Sequence, residues 1–322
     1  MGTISVDGTR LKANASKHCG VSYQRSGELI AQLQVEVEQL LSKAEQADTQ
    51  GESEPATLPQ EIAKRQALKA KLEAARRQLE ERHQQEFEAQ VAEYKKRKQA
   101  WQDNDRNGRG PQAPVDRGVG PNAQSNLSDP DSRIMRKSKN EAFAQAYNAQ
   151  LAVDAEGSQL ILAAYVTQSS ADNNELEPLI KQVSQNLAGQ KPQAVLADRG
   201  YLNGPSLERI QAQGIESYVA LNAEAHERRP YDLRCEQSRR ENPLQFKAAV
   251  LVEMEQKLRT KEGRRRYLRR QASIEPVIGI IKKVLGFEQF LLRGLAKVTL
   301  EWKLVCTAFN LKRLHKLAQT AC

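Results

Sequence analysis

Long apolar runs are missing from this chain. None approaches the roughly 18 residues that a membrane-spanning helix needs, so no helical membrane protein is expected. The opening MGTISVDGTR lacks the charged-then-apolar pattern of a secretory signal. Cysteine is sparse as well. Cys19, Cys235, Cys306 and Cys322 lie far apart, with no C-x-x-C pair and no histidine cluster to complete a zinc site. These absences point to a reduced, cytoplasmic protein with no membrane partner.

Charge, by contrast, is plentiful. The 322 residues include 49 Lys plus Arg against 40 Asp plus Glu, a formal charge of +9, which suits an anionic polymer as partner. The basic residues cluster at Arg264 to Arg270 and around Lys312 to Lys316. A chain of this length can bury a full core and hold one large domain or two ordinary ones.

The texture changes along the chain. Thr3 to Thr9 alternates polar with β-branched residues and meets Gly8, which predicts a short strand stopping just after Asp7. From Glu28 to Asp48, Ile30, Leu33, Val37, Leu40, Ala44 and Ala47 recur in steps of three and four, the seam of an amphipathic helix or coiled coil. A second, highly charged helix is expected from about Pro59 to Trp101. The break at Gly51 to Pro55 makes the two an antiparallel hairpin. Gly, Pro, Asn and Asp then dominate up to Pro130, the composition of a flexible linker.

After Arg133 the pattern becomes that of an α/β domain. Phe143–Val153 and Gln159–Thr167 read as strands joined by the turn cluster Asp154 to Ser158. A helix over Glu175–Leu187, capped by Asp172 or Asn173, precedes the strand Ala194–Ala197. A helix over Pro205–Gln213 and a strand over Ser217–Leu221 follow. With the helical interruption removed, this order fits a mixed sheet: an antiparallel three-strand meander, then parallel strands packed with helices.

Three acids stand where such a sheet would place chemistry. Asp7 and Asp198 each end an apolar strand, and in Asp198-Arg199-Gly200 a glycine permits a sharp turn. Two strand-end carboxylates can converge on a hard cation such as Mg²⁺, although either aspartate alone also fits a turn former or helix cap. The third acid is Glu275, in Tyr267-Leu-Arg-Arg270-Gln-Ala-Ser-Ile-Glu275-Pro276. Because proline is best tolerated in a helix's first turn, the N-cap is expected near Ser273. Glu275 and Lys282, seven residues apart, would share one helix face. A solvated charged helix is the competing explanation.

Asp7-Gly8-Thr9, Ala197-Asp198-Arg199-Gly200-Tyr201 and the series Tyr267, Arg270, Glu275, Lys282 together resemble the signatures of bacterial insertion-sequence transposases of the DDE type. Asp129 to Met135, and Phe290 through Trp302, resemble the same group, so the likeness covers residues 1–20 and 129–318. The resemblance implies an α/β fold, an RNase H-like mixed sheet flanked by helices. It places that catalytic domain at 1–16 and 129–322, with a coiled-coil-like helical hairpin inserted over 26–102 and a linker over 103–128. It further implies that Asp7, Asp198 and Glu275 hold two Mg²⁺ or Mn²⁺ ions, and that Tyr267, Arg270 and Lys282 contact DNA. The implied reaction is metal-dependent nuclease and strand-transfer chemistry on double-stranded transposon ends and target DNA, by a homo-oligomer on DNA.

Two alternatives stay open. Four residues separate Arg270 from Glu275 where the family usually has three, so Arg269 competes with Arg270. Asp154 competes with Asp7 as first acid, but stands in a turn cluster. The family normally carries a helical domain before its first catalytic strand, whereas this sequence begins almost on that strand. That implies a second reading: a truncated, catalytically inactive transposase that binds DNA or its full-length relative.

Overall fold

The computed structural model describes residues 1–50, 57–103, 110–136, 140–221 and 248–321. The Gly51 to Pro55 break, Cys235 and Cys322 lie outside the described residues. In chain order the elements are β1 (Thr3–Lys12), β2 (Gly20–Ser22), α1 (Tyr23–Gln50), α2 (Leu58–Asp103), β3 (Gln124–Asn126), β4 (Arg133–Met135), β5 (Ala144–Asp154) and β6 (Ile161–Thr167). They continue as α3 (Leu176–Asn186), β7 (Ala194–Ala197), α4 (Gly204–Ala212), β8 (Glu216–Val219), α5 (Ala249–Arg259), α6 (Lys261–Gly279) and α7 (Leu295–Ala321). Two compact units result, Met1–Asn14 with Ile134–Cys322, and Ala15–Arg133. No described helix is long and apolar enough to cross a membrane.

The first unit is a mixed sheet flanked by helices, with strand order β4-β5-β1-β7-β8 and β6 also paired to β5. The chain's first strand is therefore central. It pairs antiparallel with β5 from Ile4↔Asp154 to Lys12↔Ala146, and parallel with β7 from Thr3↔Ala194 to Ser5↔Leu196. β5 and β6 are antiparallel, while β7 and β8 are parallel. Alternation along β1 sends Ile4 and Val6 into a core shared with Leu176, Leu179 and Val183 of α3 and Leu207 and Ile210 of α4. Ser5 and Asp7 alternate with them and meet α6, where the Ser5 and Ser273 hydroxyls lie 2.7 Å apart.

Two local expectations are corrected. β1 does not stop after Asp7 but continues to Lys12, because β5 supplies partners along its whole length. Ser273 does not cap a helix. α6 begins twelve residues earlier, where the Thr260 Oγ1 accepts from Gly263 N, and Pro276 lies in its interior. Proline has no N–H for the carbonyl four residues back, that of Ala272. The side-chain amide of Gln159 donates to that oxygen at 2.8 Å instead. A tertiary contact thus satisfies the group that the proline leaves unpaired. One π turn, Ile280–Val284, follows the helix.

An aromatic cluster fixes the chain beyond it. Trp302 stacks on Phe287, which meets Phe290 edge to face, and Phe290 meets Tyr147 of β5 likewise. Trp302 Nε1 donates to the Gln150 carbonyl at 3.2 Å. The neighbouring Glu301 carboxylate accepts from the backbone N–H groups of Leu291 and Leu292.

In the second unit α1 and α2 run antiparallel. Tyr23 at the start of α1 donates to Glu80, and its ring lies under the Arg76 guanidinium, while Glu36 accepts from Arg65. Leu33 and Val37 of the seam are buried, and Leu33 packs with Val21 and Leu72. The stretch read as a linker is described from residue 110 onward. Its last part forms β3, which pairs with β2.

Trp302→Ala removes both the stacked ring and the indole hydrogen bond. It is expected to lower the unfolding free energy by about 3–5 kcal/mol, read from urea denaturation, with Trp302→Phe losing clearly less.

Candidate active site

Asp7 and Asp198 come from neighbouring parallel strands. Beyond the last paired residues, Ser5 and Leu196, each chain runs two residues further to its aspartate. Asp198 has extended backbone and caps a short 3₁₀ turn, its Oδ1 accepting from Gly200 N at 2.9 Å. Asp7 Oδ1 accepts from Gly8 N at 2.9 Å. Both glycines answer close approaches. A Cβ on Gly8 would lie 2.6 Å from the Asp172 carboxylate, and one on Gly200 would lie 3.0 Å from Asp198 Oδ1.

Arg270 bridges the acids. Its Nη1 donates to Asp7 Oδ2 at 3.0 Å, and its Nη2 lies 3.8 Å from Glu275 Oε1. The Arg270 side chain keeps 13% of its surface exposed and Asp7 21%, whereas Glu275 keeps 46%. Arg270 Nε is buried with no hydrogen-bond partner. Tyr267, one helical turn before Arg270, is buried against the same core as the sheet. Lys282, in the π turn, donates to the Arg10 carbonyl of β1 at 3.3 Å. Arg269 is exposed, so of the two arginines it is Arg270 that reaches Asp7.

The electrostatics follow from burial. Loss of water pushes the Asp7 carboxyl up to about 7; Arg270 opposes the rise and the nearby Asp198 adds to it. Asp198 is raised too, first by burial, with Arg270 again opposing and Asp172 contributing. Arg270 thus opposes the rise at both acids, and Arg10 does so at Asp198. Among the described residues, no three acid, histidine or cysteine side chains stand together as a ready metal cage. The carboxylates of Asp7 and Asp198 nevertheless match a hard divalent ion in donor type, because oxygen anions poor in water gain most from a cation.

Asp154, the rival first acid, is placed differently. It pairs with Ile4, three residues along β1 from Asp7, and its carboxylate accepts from Ser158 N and Oγ in the hairpin turn. Asp172 departs from its expected role as a helix cap. α3 begins at Leu176, and Asp172 Oδ1 instead accepts from Asn148 and Gln150 of β5. A cap and a site acid look alike before a helix, and the distinguishing amides come from a strand more than twenty residues away. The only local signal was an aspartate four residues before the helix, too early to cap it.

The family model described as Transposase DDE domain matches residues 122–311. That span exceeds half of the chain, and the chain belongs to this family of DDE transposases. It carries Asp198 and Glu275, while Asp7 precedes it. No curated protein and no solved structure matches the chain.

Raised acidity makes folding pH-dependent with a definite sign. An unfolded Asp7 titrates near 3.8 and the folded one near 7. Between those values the folded state holds the extra proton, so its stability falls as pH rises through the window. The melting temperature in chelator is expected to drop between about pH 4 and pH 7, and Asp7→Asn is expected to flatten that slope. An unchanged slope in the variant would remove Asp7 as its origin.

Proposed function

We propose that this transposase cuts transposon ends and joins the freed 3′-hydroxyls to target DNA, with Asp7, Asp198 and Glu275 as its acids. The observation that carries the reading is the pair of buried, under-neutralised carboxylates on adjacent strands, with Arg270 paired to Asp7 and standing 3.8 Å from Glu275. The strand order, with β1 between an antiparallel and a parallel partner, supports an RNase H-like sheet. In this reading residues 1–16 and 129–322 form the catalytic domain, and the α1/α2 pair is a helical hairpin inserted after its first strand.

Asp7, Asp198 and Glu275 would hold two Mg²⁺ or Mn²⁺ ions. Such ions, when bound, supply charge to the attacking and leaving oxygens of an in-line displacement at phosphorus. Arg270, freed from Asp7, has a guanidinium fork that suits two phosphate oxygens. Tyr267 packs beside it and keeps the fork on the sheet side of α6. Lys282, anchored at Arg10, adds a cation to the phosphate track. Hydrolysis breaks a P–O bond and leaves a 3′-hydroxyl. That hydroxyl then displaces a 3′-oxygen from a target phosphodiester, so no covalent enzyme intermediate is needed.

A second reading, DNA binding without cleavage, is favoured by one observation: the Arg270 guanidinium stands between Asp7 and Glu275. Purified protein with DNA carrying the element's terminal repeats separates the two. Nicking is expected with Mg²⁺ or Mn²⁺, with Asp198→Asn and Glu275→Gln each reducing it by more than about 100-fold. Binding without cleavage in either metal would establish the second reading. In both readings affinity should fall steeply with salt, since neutralised phosphates release counterions. Affinity indifferent to salt would argue against DNA as the partner.

A further inference from the structure

Asp172 lies outside the three acids, yet two side-chain hydrogen bonds hold it at their edge. Its Oδ1 accepts from Asn148 Nδ2 and from Gln150 Nε2, each at 2.6 Å. Tyr201, in the turn that follows Asp198, donates its hydroxyl to Gln150 Oε1 and so fixes which end of that amide faces Asp172. The same carboxylate fills the space beside both motif glycines: a Cβ on Gly8 would come within 2.6 Å of Oδ1, and one on Gly200 within 3.3 Å of Oδ2. The glycine after Asp7 and the glycine two residues after Asp198 thus leave room for one and the same side chain.

We infer that Asp172 is a fourth carboxylate of the site, a positioning residue that acts through Asp198 to strengthen the site's hold on a divalent cation. This inference rests on the two-ion reading. The physical reason is additive charge. Asp198 Oδ1 and Asp172 Oδ2 both border the space beside Gly200, so a cation drawn to Asp198 meets a second negative charge there. Gln150, itself held by Tyr201, is enough to keep the Asp172 carboxylate facing the site. The backbone does the rest: Asp172 also supplies the carbonyl that accepts from Glu175 N just before α3, tying the acid to the helix start.

Asp172→Asn tests this, because it keeps the shape and one oxygen to accept from Asn148 and Gln150 but removes the charge. Titration of Mn²⁺ alone into the full chain, followed by calorimetry, should show affinity about tenfold weaker than wild type, with an unchanged melting temperature in chelator. Asn148→Ala is the companion variant, since it removes a donor and no charge; it should bind Mn²⁺ nearly as wild type does. Equal affinity in Asp172→Asn and wild type overturns the inference alone. An equal loss in Asn148→Ala and Asp172→Asn assigns Asp172 a structural role and also overturns it. Wild-type protein that binds no Mn²⁺ overturns the two-ion reading itself, and this inference with it.

Discussion

The sheet depends on the double pairing of its first strand. Residues 3–12 lie between β5, which pairs with them antiparallel along their length, and β7, which pairs with only their first three. The parallel pairing is short, so from Asp7 onward one edge of β1 is freed from β7 while the other stays anchored. That asymmetry opens the crevice. Asp7 and Asp198 emerge at the point where the two strands part, the Arg270 helix covers one face, and the Asp172 turn borders the other.

Charge burial is the cost of this arrangement. Asp7 and Asp198 are drawn out of water, and both resist ionisation because burial outweighs the opposing charge of Arg270. A fold selected for stability alone would replace such a cluster with apolar side chains, since buried ion pairs are seldom better than a packed core. The proposed phosphoryl-transfer role would supply a reason to keep it, because perturbed acids cluster at functional sites.

Much of the architecture was legible along the chain. Strand alternation, the three-four seam of α1 and the glycine-marked turns each come from a local period or a local backbone need, and the observed elements follow them closely at Ala144–Asp154, Ile161–Thr167 and Ala194–Ala197. The misplacements have a common origin. β1 outran its glycine because pairing with β5 outweighs the weak strand preference of Gly8. α6 ran through Pro276 because Gln159, more than a hundred residues away, takes up the carbonyl that the proline leaves. Asp172 was read as a cap because its true partners lie on another strand.

What the sequence by itself determined was the set of elements and the family: hydrophobic period sets strand and helix, and the carboxylates near glycines lie in motifs that resemble those of DDE transposases. Which of those carboxylates meet was decided only in three dimensions. Asp7 and Asp198 are joined by strand register, Arg270 rather than Arg269 by the phase of one helix, and Asp172 by two amides of β5. Register and helix phase are collective quantities, fixed by the packing of whole elements. No window of neighbouring residues contains them.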